Sequence, residues 1–417
     1  MTMQKARQIY QKYESLFHNL SYMTILKVFM LILPLISYPY LIRVTGSDNF
    51  GIVVYTLSIM AFFRIFVKFG FEMSAVKNVA QNSDDKKELS KIISSVLILQ
   101  VIFYIIGFLI LFSLIQIFEQ FKTYQELLYY AYLLPLCDML FLVWFFQGIE
   151  KMKYITIINT IAGLIGLALI FIFIEDKDDY IFIPLLQAIS LLIGSIYSLY
   201  LVFKKEDIQF YIPSKDELVF YLKESFPFFI SRSSAVFSEE INVILLANFV
   251  NMSAVAYYDL AKKIISVFKI PNSIINQVLY PYIAKRQDKP LAKKVFNIRI
   301  AIAIFLMIIV YIFGEYFVLF LGGQDMLATM PILNIFSIML LFTAVTYYTG
   351  STILVAFGYA NKFNISVIYS TLLYLILSAI LYITDNISVY SILFIMLVTE
   401  FYLLSYRYYY CKRFKIL

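Results

Sequence analysis

Histidine is nearly absent from this 417-residue sequence; His18 stands alone. That leaves almost no room for a His-based catalytic or zinc site. The two cysteines, Cys137 and Cys411, offer neither a disulfide framework nor metal-ligand spacing. Charge is also scarce: 15% of residues are charged and 62% are hydrophobic, with a mean hydropathy of +0.82. Soluble domains are about half apolar and about a quarter charged, so the composition excludes an ordinary soluble domain and describes a polytopic membrane protein. There is no Walker A motif, no Gly-x-Ser-x-Gly elbow and no polar domain to hold a nucleotide. No basic domain or aromatic-interleaved motif stands apart from the apolar runs, so nucleic acid is not an expected partner. No cleavable signal peptide is expected, because residues 1–15 are polar and the first apolar stretch exceeds the roughly 7–15 residues of an h-region.

Long apolar runs are what the sequence has in abundance. A run of about 20 residues spans the ~30 Å hydrocarbon core. Twelve are predicted, at 18–42, 50–74, 90–117, 124–147, 153–174, 180–203, 217–248, 253–282, 293–320, 327–357, 363–384 and 387–408. Pro34, Pro39, Pro227 and Pro271 fall inside them and favour bends. Lys and Arg in alternate connections number twenty-two on one side and three on the other, the three being Arg43, Lys122 and Lys177. By the positive-inside rule both termini are cytoplasmic. The polar stretch 204–216 divides the chain into residues 1–203 and 217–417, six spans each. Gly51-Ile52-Val53-Val54-Tyr55 opening the second span and Ala254-Val255-Ala256-Tyr257-Tyr258 opening the eighth are weakly alike. Six spans per half imply a parallel pseudo-repeat. The expected fold class is therefore all-α: twelve transmembrane helices in two six-helix bundles.

Nine cations lie inside or at the ends of these runs: Lys27, Arg64, Lys68, Lys223, Arg232, Lys262, Lys263, Lys269 and Arg299. A cation in hydrocarbon costs roughly 2.5–3.5 kcal/mol on the lenient insertion scale, so such residues face a watery cavity or a partner charge. Arg64, Lys68 and Glu72 recur at i, i+4, i+8 on one helical face. This stripe reads as an anion-binding wall, with a local Lys68–Glu72 pair as its plainer alternative. Asp259, Lys262 and Lys263 form a second group, in which one lysine is left without a local partner. Arg232 and Glu239 are seven apart on one face, and Glu239 and Glu240 point about 100° apart. A membrane carboxylate of this kind, Glu239, Glu240 or Asp259, can bind a coupling H⁺ or Na⁺. Asp138 and Glu400 are isolated in their own spans. Lys223, Lys269 and Arg299 read as snorkelling or interface residues. No catalytic set, cofactor site or metal site emerges.

The stretch Pro34-Leu35-Ile36-Ser37-Tyr38-Pro39-Tyr40-Leu41-Ile42-Arg43-Val44-Thr45-Gly46, followed by Phe50-Gly51, resembles the opening of Wzx-type polysaccharide flippases. Phe69-Gly70-Phe71, the stretch from Trp144 to Met152, and Ala256-Tyr257-Tyr258-Asp259-Leu260-Ala261-Lys262-Lys263 also resemble that family. The resemblance implies the multidrug/oligosaccharidyl-lipid/polysaccharide exporter superfamily, whose two six-helix bundles enclose a central cavity, here a cationic one. It implies translocation of undecaprenyl-pyrophosphate-linked oligosaccharide repeat units across the bacterial cytoplasmic membrane, for O-antigen or a similar surface polysaccharide. It further implies Lys27, Arg64, Arg232, Lys262 and Lys263 as substrate-binding candidates, to which the helical stripe adds Lys68, with a polysaccharide polymerase and a chain-length regulator as partners besides membrane lipids. A multidrug exporter of the same superfamily is the second reading, against which the cation surplus argues. A membrane-embedded polymerase or acyltransferase is the third; it would call for a long external loop or an intramembrane histidine.

Overall fold

The computed structural model describes residues 14–417, without the side chains of residues 14–18, 20, 277, 278, 280–282 and 284. The expected cytoplasmic charges Lys5, Arg7 and Lys12, and the side chain of His18, lie outside the described residues. The described residues are mostly helical, with no strand among them. Nine helical segments among them are long and apolar enough to cross a membrane, where the sequence predicts twelve runs. The difference has two physical sources. The first segment, Ser21–Gln81, merges two predicted spans. Two 35-residue helices, Lys215–Phe249 and Met252–Arg286, have the length to cross but carry many charged residues.

Helix α1 (Glu14–Lys68) has 55 residues and contains Pro34 and Pro39. At ~1.5 Å per residue it is over twice as long as the hydrocarbon core is thick. It is broken at Gly46, whose φ of 78° and ψ of 166° are non-helical. Only glycine enters that region without strain. After α1 come α2 (Phe71–Gln81), α3 (Lys86–Ile117) and four short helices: α4 (Glu119–Thr123), α5 (Gln125–Ala131), α6 (Leu133–Leu140) and α7 (Val143–Gly148). Then follow α8 (Met152–Phe173), α9 (Ile183–Tyr200) and α10 (Lys215–Phe249).

The helices group into two compact units, one of Met1–Thr45 and Val53–Ile241, the other of Gly46–Ile52 and Asn242–Leu417. In the first, Phe71, Ile92, Val96, Phe145, Phe146 and Val202 are core residues. Phe69 stacks between Phe103 and Phe229 with ring centroids 4.5 Å away on both sides. Gly70, with φ 76°, starts α2 so close to α10 that an added Cβ would sit 2.7 Å from the backbone N of Phe229 and the carbonyl O of Ser225. Below this contact Ser74 and Ser225 share a hydrogen bond at 2.6 Å, and Asn78 donates to Glu224 at 2.6 Å. The polar connection before α10 is tied down as well. Backbone N–H groups of Gln209 and Tyr211 donate to Ser90 and Ser94 on α3, and Ser214 and Glu217 form a reciprocal N-terminal cap.

The second unit holds α11 (Met252–Arg286), α12 (Lys289–Gly322), α13 (Met330–Tyr347), α14 (Ala360–Ile383) and α15 (Val389–Arg413). A π-helical stretch, Tyr348–Leu354, extends α13. Asn251 caps α11 by accepting from the N–H of Ala254. Ser253 donates to Asp48, and Gly51 lies against the Met252 carbonyl, so residues 46–52 pack on the start of α11.

The Gly70 contact makes a test. Gly70→Ala combines left-handed strain with overpacking against backbone, about 2–5 kcal/mol. Ser74→Ala in the same contact removes one hydroxyl, about 1 kcal/mol. Thermal unfolding of the detergent-solubilised protein should show the larger Tm loss for Gly70→Ala. Equal shifts would mean that α10 does not hold this close approach.

Candidate functional site

Four ionic side chains meet in the first unit. Arg64 and Lys68 lie on the last turns of α1 and Glu72 on α2, across the Phe69–Gly70 break. Asp138 comes from α6. Arg64 grips Asp138 with two bonds, Nε to Oδ2 at 2.5 Å and Nη2 to Oδ1 at 3.0 Å. Lys68 Nζ lies 2.7 Å from Glu72 Oε1 and 3.7 Å from Asp138 Oδ1. The local Lys68–Glu72 pair therefore forms, and Asp138, isolated within its own span, is the carboxylate both cations share. The cluster is formally neutral, with two cations and two carboxylates. Asp138 is only 15% exposed, but the Arg64 side chain is 41% exposed. Among the described residues its Nη1 has no partner, so one edge of the guanidinium remains available.

The position of Asp138 follows from a broken helix. The chain leaves α6 at Phe141 and resumes at α7, where the sequence predicts one span over 124–147. Backbone groups freed in an apolar setting must find partners. Serines of α9 supply them: Ser195 donates to the Cys137 carbonyl at 2.8 Å, and the Leu142 N–H donates to Ser198 Oγ at 3.3 Å.

The other sequence candidates do not join this cluster of ion pairs. Lys27 is exposed on the first segment of α1, and Arg232 and Glu239 are exposed on α10. Glu240 is half-buried and accepts a hydrogen bond from Ser58 at 2.7 Å. Asp259, Lys262 and Lys263 are half-buried on α11, in the second unit.

The second unit holds charged residues that sequence reasoning placed wrongly. Arg299 reads from its position after a basic loop as an interface residue, yet it is 1% exposed. It donates to the Asn272 carbonyl at 3.0 Å, the Ala344 carbonyl at 3.2 Å and the Asn276 side-chain oxygen, and it lies 4.9 Å from the centre of the Tyr348 ring. Arg407 is one of the twenty-two Lys and Arg residues counted on the side assigned to the cytoplasm, yet it is 5% exposed. It donates to Ser366 Oγ at 2.9 Å and the Thr346 carbonyl at 2.8 Å, 4.9 Å from the Phe363 ring centre. Counting charges along the chain cannot see a pocket built from four helices. The available signal was polar residues recurring in apolar runs, Asn272 and Asn276 one turn apart and Thr346 beyond them.

A double-mutant cycle over Arg64→Met and Asp138→Leu tests the bidentate pair. The expected coupling is roughly 0.5–3 kcal/mol in thermal or denaturant unfolding, with each single variant less stable than the double. Additive losses would show that the pair contributes nothing jointly.

The structure is similar to an inward-facing multidrug resistance transporter of the MATE family and the MOP superfamily. Their TM-score is 0.71 at 15% sequence identity, covering 95% of this chain and 98% of that one. It is also similar to the lipid II flippase MurJ in an inward closed conformation, with a TM-score of 0.68 at 15% identity over 93% of this chain and 87% of the other. At such identity these likenesses establish a shared fold. In sequence, 270 residues are 26% identical to a candidate O-antigen transporter of Escherichia coli, and the match spans 65% of each chain. Residues 16–287 match a family described as polysaccharide biosynthesis protein. With nine segments among its described residues long and apolar enough to cross a membrane, the chain belongs to that polysaccharide biosynthesis family.

Proposed function

We propose that this protein is a flippase that carries undecaprenyl-pyrophosphate-linked oligosaccharide repeat units across the bacterial cytoplasmic membrane, feeding synthesis of O-antigen or a similar surface polysaccharide. The observation that carries this reading is the family match over residues 16–287. The chemistry of the first unit's charge cluster supports it. A guanidinium held by a carboxylate is less costly in apolar surroundings than an unpaired one. The exposed edge of Arg64 is open to pyrophosphate oxygens, which then compete with Asp138 for the same donors. Such an exchange replaces one charge-assisted pair by another, so capture does not become a trap. Lys27, Lys68, Arg232, Lys262 and Lys263 are the further phosphate or acidic-sugar contacts in this reading.

The transport cycle we propose is alternating access by two six-helix bundles, residues 1–203 and 217–417 joined by 204–216, around a central cationic cavity. Twelve crossings arise if the Gly46 break separates two passes of α1 and if α10 and α11 cross despite their charges. Each of these 35-residue helices is ~52 Å long, enough for a tilted crossing. The loop charges put both termini in the cytoplasm. Glu239, Glu240 and Asp259 are the sites at which H⁺ or Na⁺ would couple, and no organic cofactor is required. The polymerase and the chain-length regulator would receive the product.

Deleting the gene should accumulate lipid-linked repeat units in the inner leaflet and abolish polymer. Normal polymer with altered drug tolerance would overturn the proposal in favour of drug export. In the complemented strain, Arg64→Ala should lower polymer output on the order of tenfold while leaving membrane insertion intact. Unchanged output would remove Arg64 from the substrate path.

A further inference from the structure

Between α11, α12, α13 and α15 of the second unit lies a cavity of about 440 Å³. That volume is within the ~300–1,000 Å³ range of small-molecule sites. Its ionic lining consists of Lys269, Arg299, Arg407 and Glu400, three cations against one carboxylate. Among the described residues, none of the three lies within the 4.0 Å ion-pair distance of Glu400, whose hydrogen bond comes instead from the Thr346 hydroxyl at 3.2 Å. The two arginines are held by carbonyls and neutral side chains and flanked by aromatic rings. Gly350 makes room for one of them: an added Cβ there would meet the Arg407 guanidinium at 2.6–3.0 Å. The arginines are thus fixed in place while their charge is left largely uncompensated. Buried charge without a counter-charge is costly, and a protein that builds such a site gains from an anion that enters it.

We infer that this cavity is an oxyanion site that takes a phosphate-class group, with Lys269 as its direct contact and Arg299 and Arg407 as fixed sources of positive potential. Lys269 is exposed to the cavity, and among the described residues it has no hydrogen-bond or ion-pair partner. Asn272, 8% exposed, lines the same space, and its side-chain oxygen is also without a hydrogen-bond partner. Turning that amide directs its NH₂ to an anion. Glu400 is the internal competitor: it offsets one positive charge and keeps the site from holding its ligand too tightly. This site lies wholly within the second unit and is separate from the Arg64 cluster. The inference does not depend on which lipid-linked substrate is moved.

Calorimetry on the full-length protein in nanodiscs at low ionic strength tests it, in an Arg64→Ala background that silences the first unit's cluster. The probes are inorganic pyrophosphate and farnesyl diphosphate. K269Q should weaken binding on the order of tenfold, and E400Q should tighten it by a similar factor. Binding of pyrophosphate alone identifies a soluble anion as the natural occupant. Binding confined to farnesyl diphosphate, with the same K269Q loss, identifies a lipid-borne headgroup. No binding of either probe, or binding indifferent to both substitutions, overturns the inference. Should K269Q fail to fold, E400Q decides alone, because loss of a competing carboxylate must tighten an anion site and leaves a site without anions unaffected.

Discussion

A cation carried into an apolar helix needs an answering group, and most of what is distinctive in this structure follows from how that demand is met. In the first unit the answer is another charge. Asp138 receives two bonds from Arg64 and lies near Lys68, which is also paired with Glu72. The broken helix after Leu140 and the serines that repair its backbone serve to place that carboxylate. In the second unit the answer is dipoles and ring faces. Arg299 and Arg407 rest on carbonyls, an asparagine and a serine, beside Tyr348 and Phe363. The first solution neutralises charge. The second holds charge in place and leaves its field intact.

These two solutions differ in how visible they are along the chain. Lys68 and Glu72 are one turn apart, so their pair is legible from spacing, and the i, i+4, i+8 stripe led directly to Arg64. Asp138 is 74 residues from Arg64; nothing in helical periodicity joins them, and the break that orients Asp138 lies within an apolar run that reads as continuous. Arg299 and Arg407 were misplaced for a related reason. A count of loop charges assigns a residue by its distance from the nearest connection, whereas burial depends on which helices pack around it. The helical class was plain from composition. The number of apolar crossings was less plain because α10 and α11 combine crossing length with interior charge, and hydropathy alone cannot say whether such charges face lipid, water or protein.

The same fold serves proteins named for drug efflux and for lipid II flipping, so architecture alone does not select a cargo. The cargo proposed above rests on the family to which the chain belongs. In the second unit's cavity, three cations against one carboxylate suit phosphate or acidic sugars better than cationic drugs.

The break in α1 has a consequence for how this protein can be handled. One glycine interrupts a 55-residue helix, and the residues just after it pack on the start of α11. The close approach is at Gly51, where an added Cβ would overlap the Met252 carbonyl. Epitope tags, cleavage sites and fluorescent insertions that many membrane proteins accept between their first two apolar segments would here push apart a close-packed junction. Reporter groups belong instead near the acidic stretch 175–179, where the chain is exposed and polar.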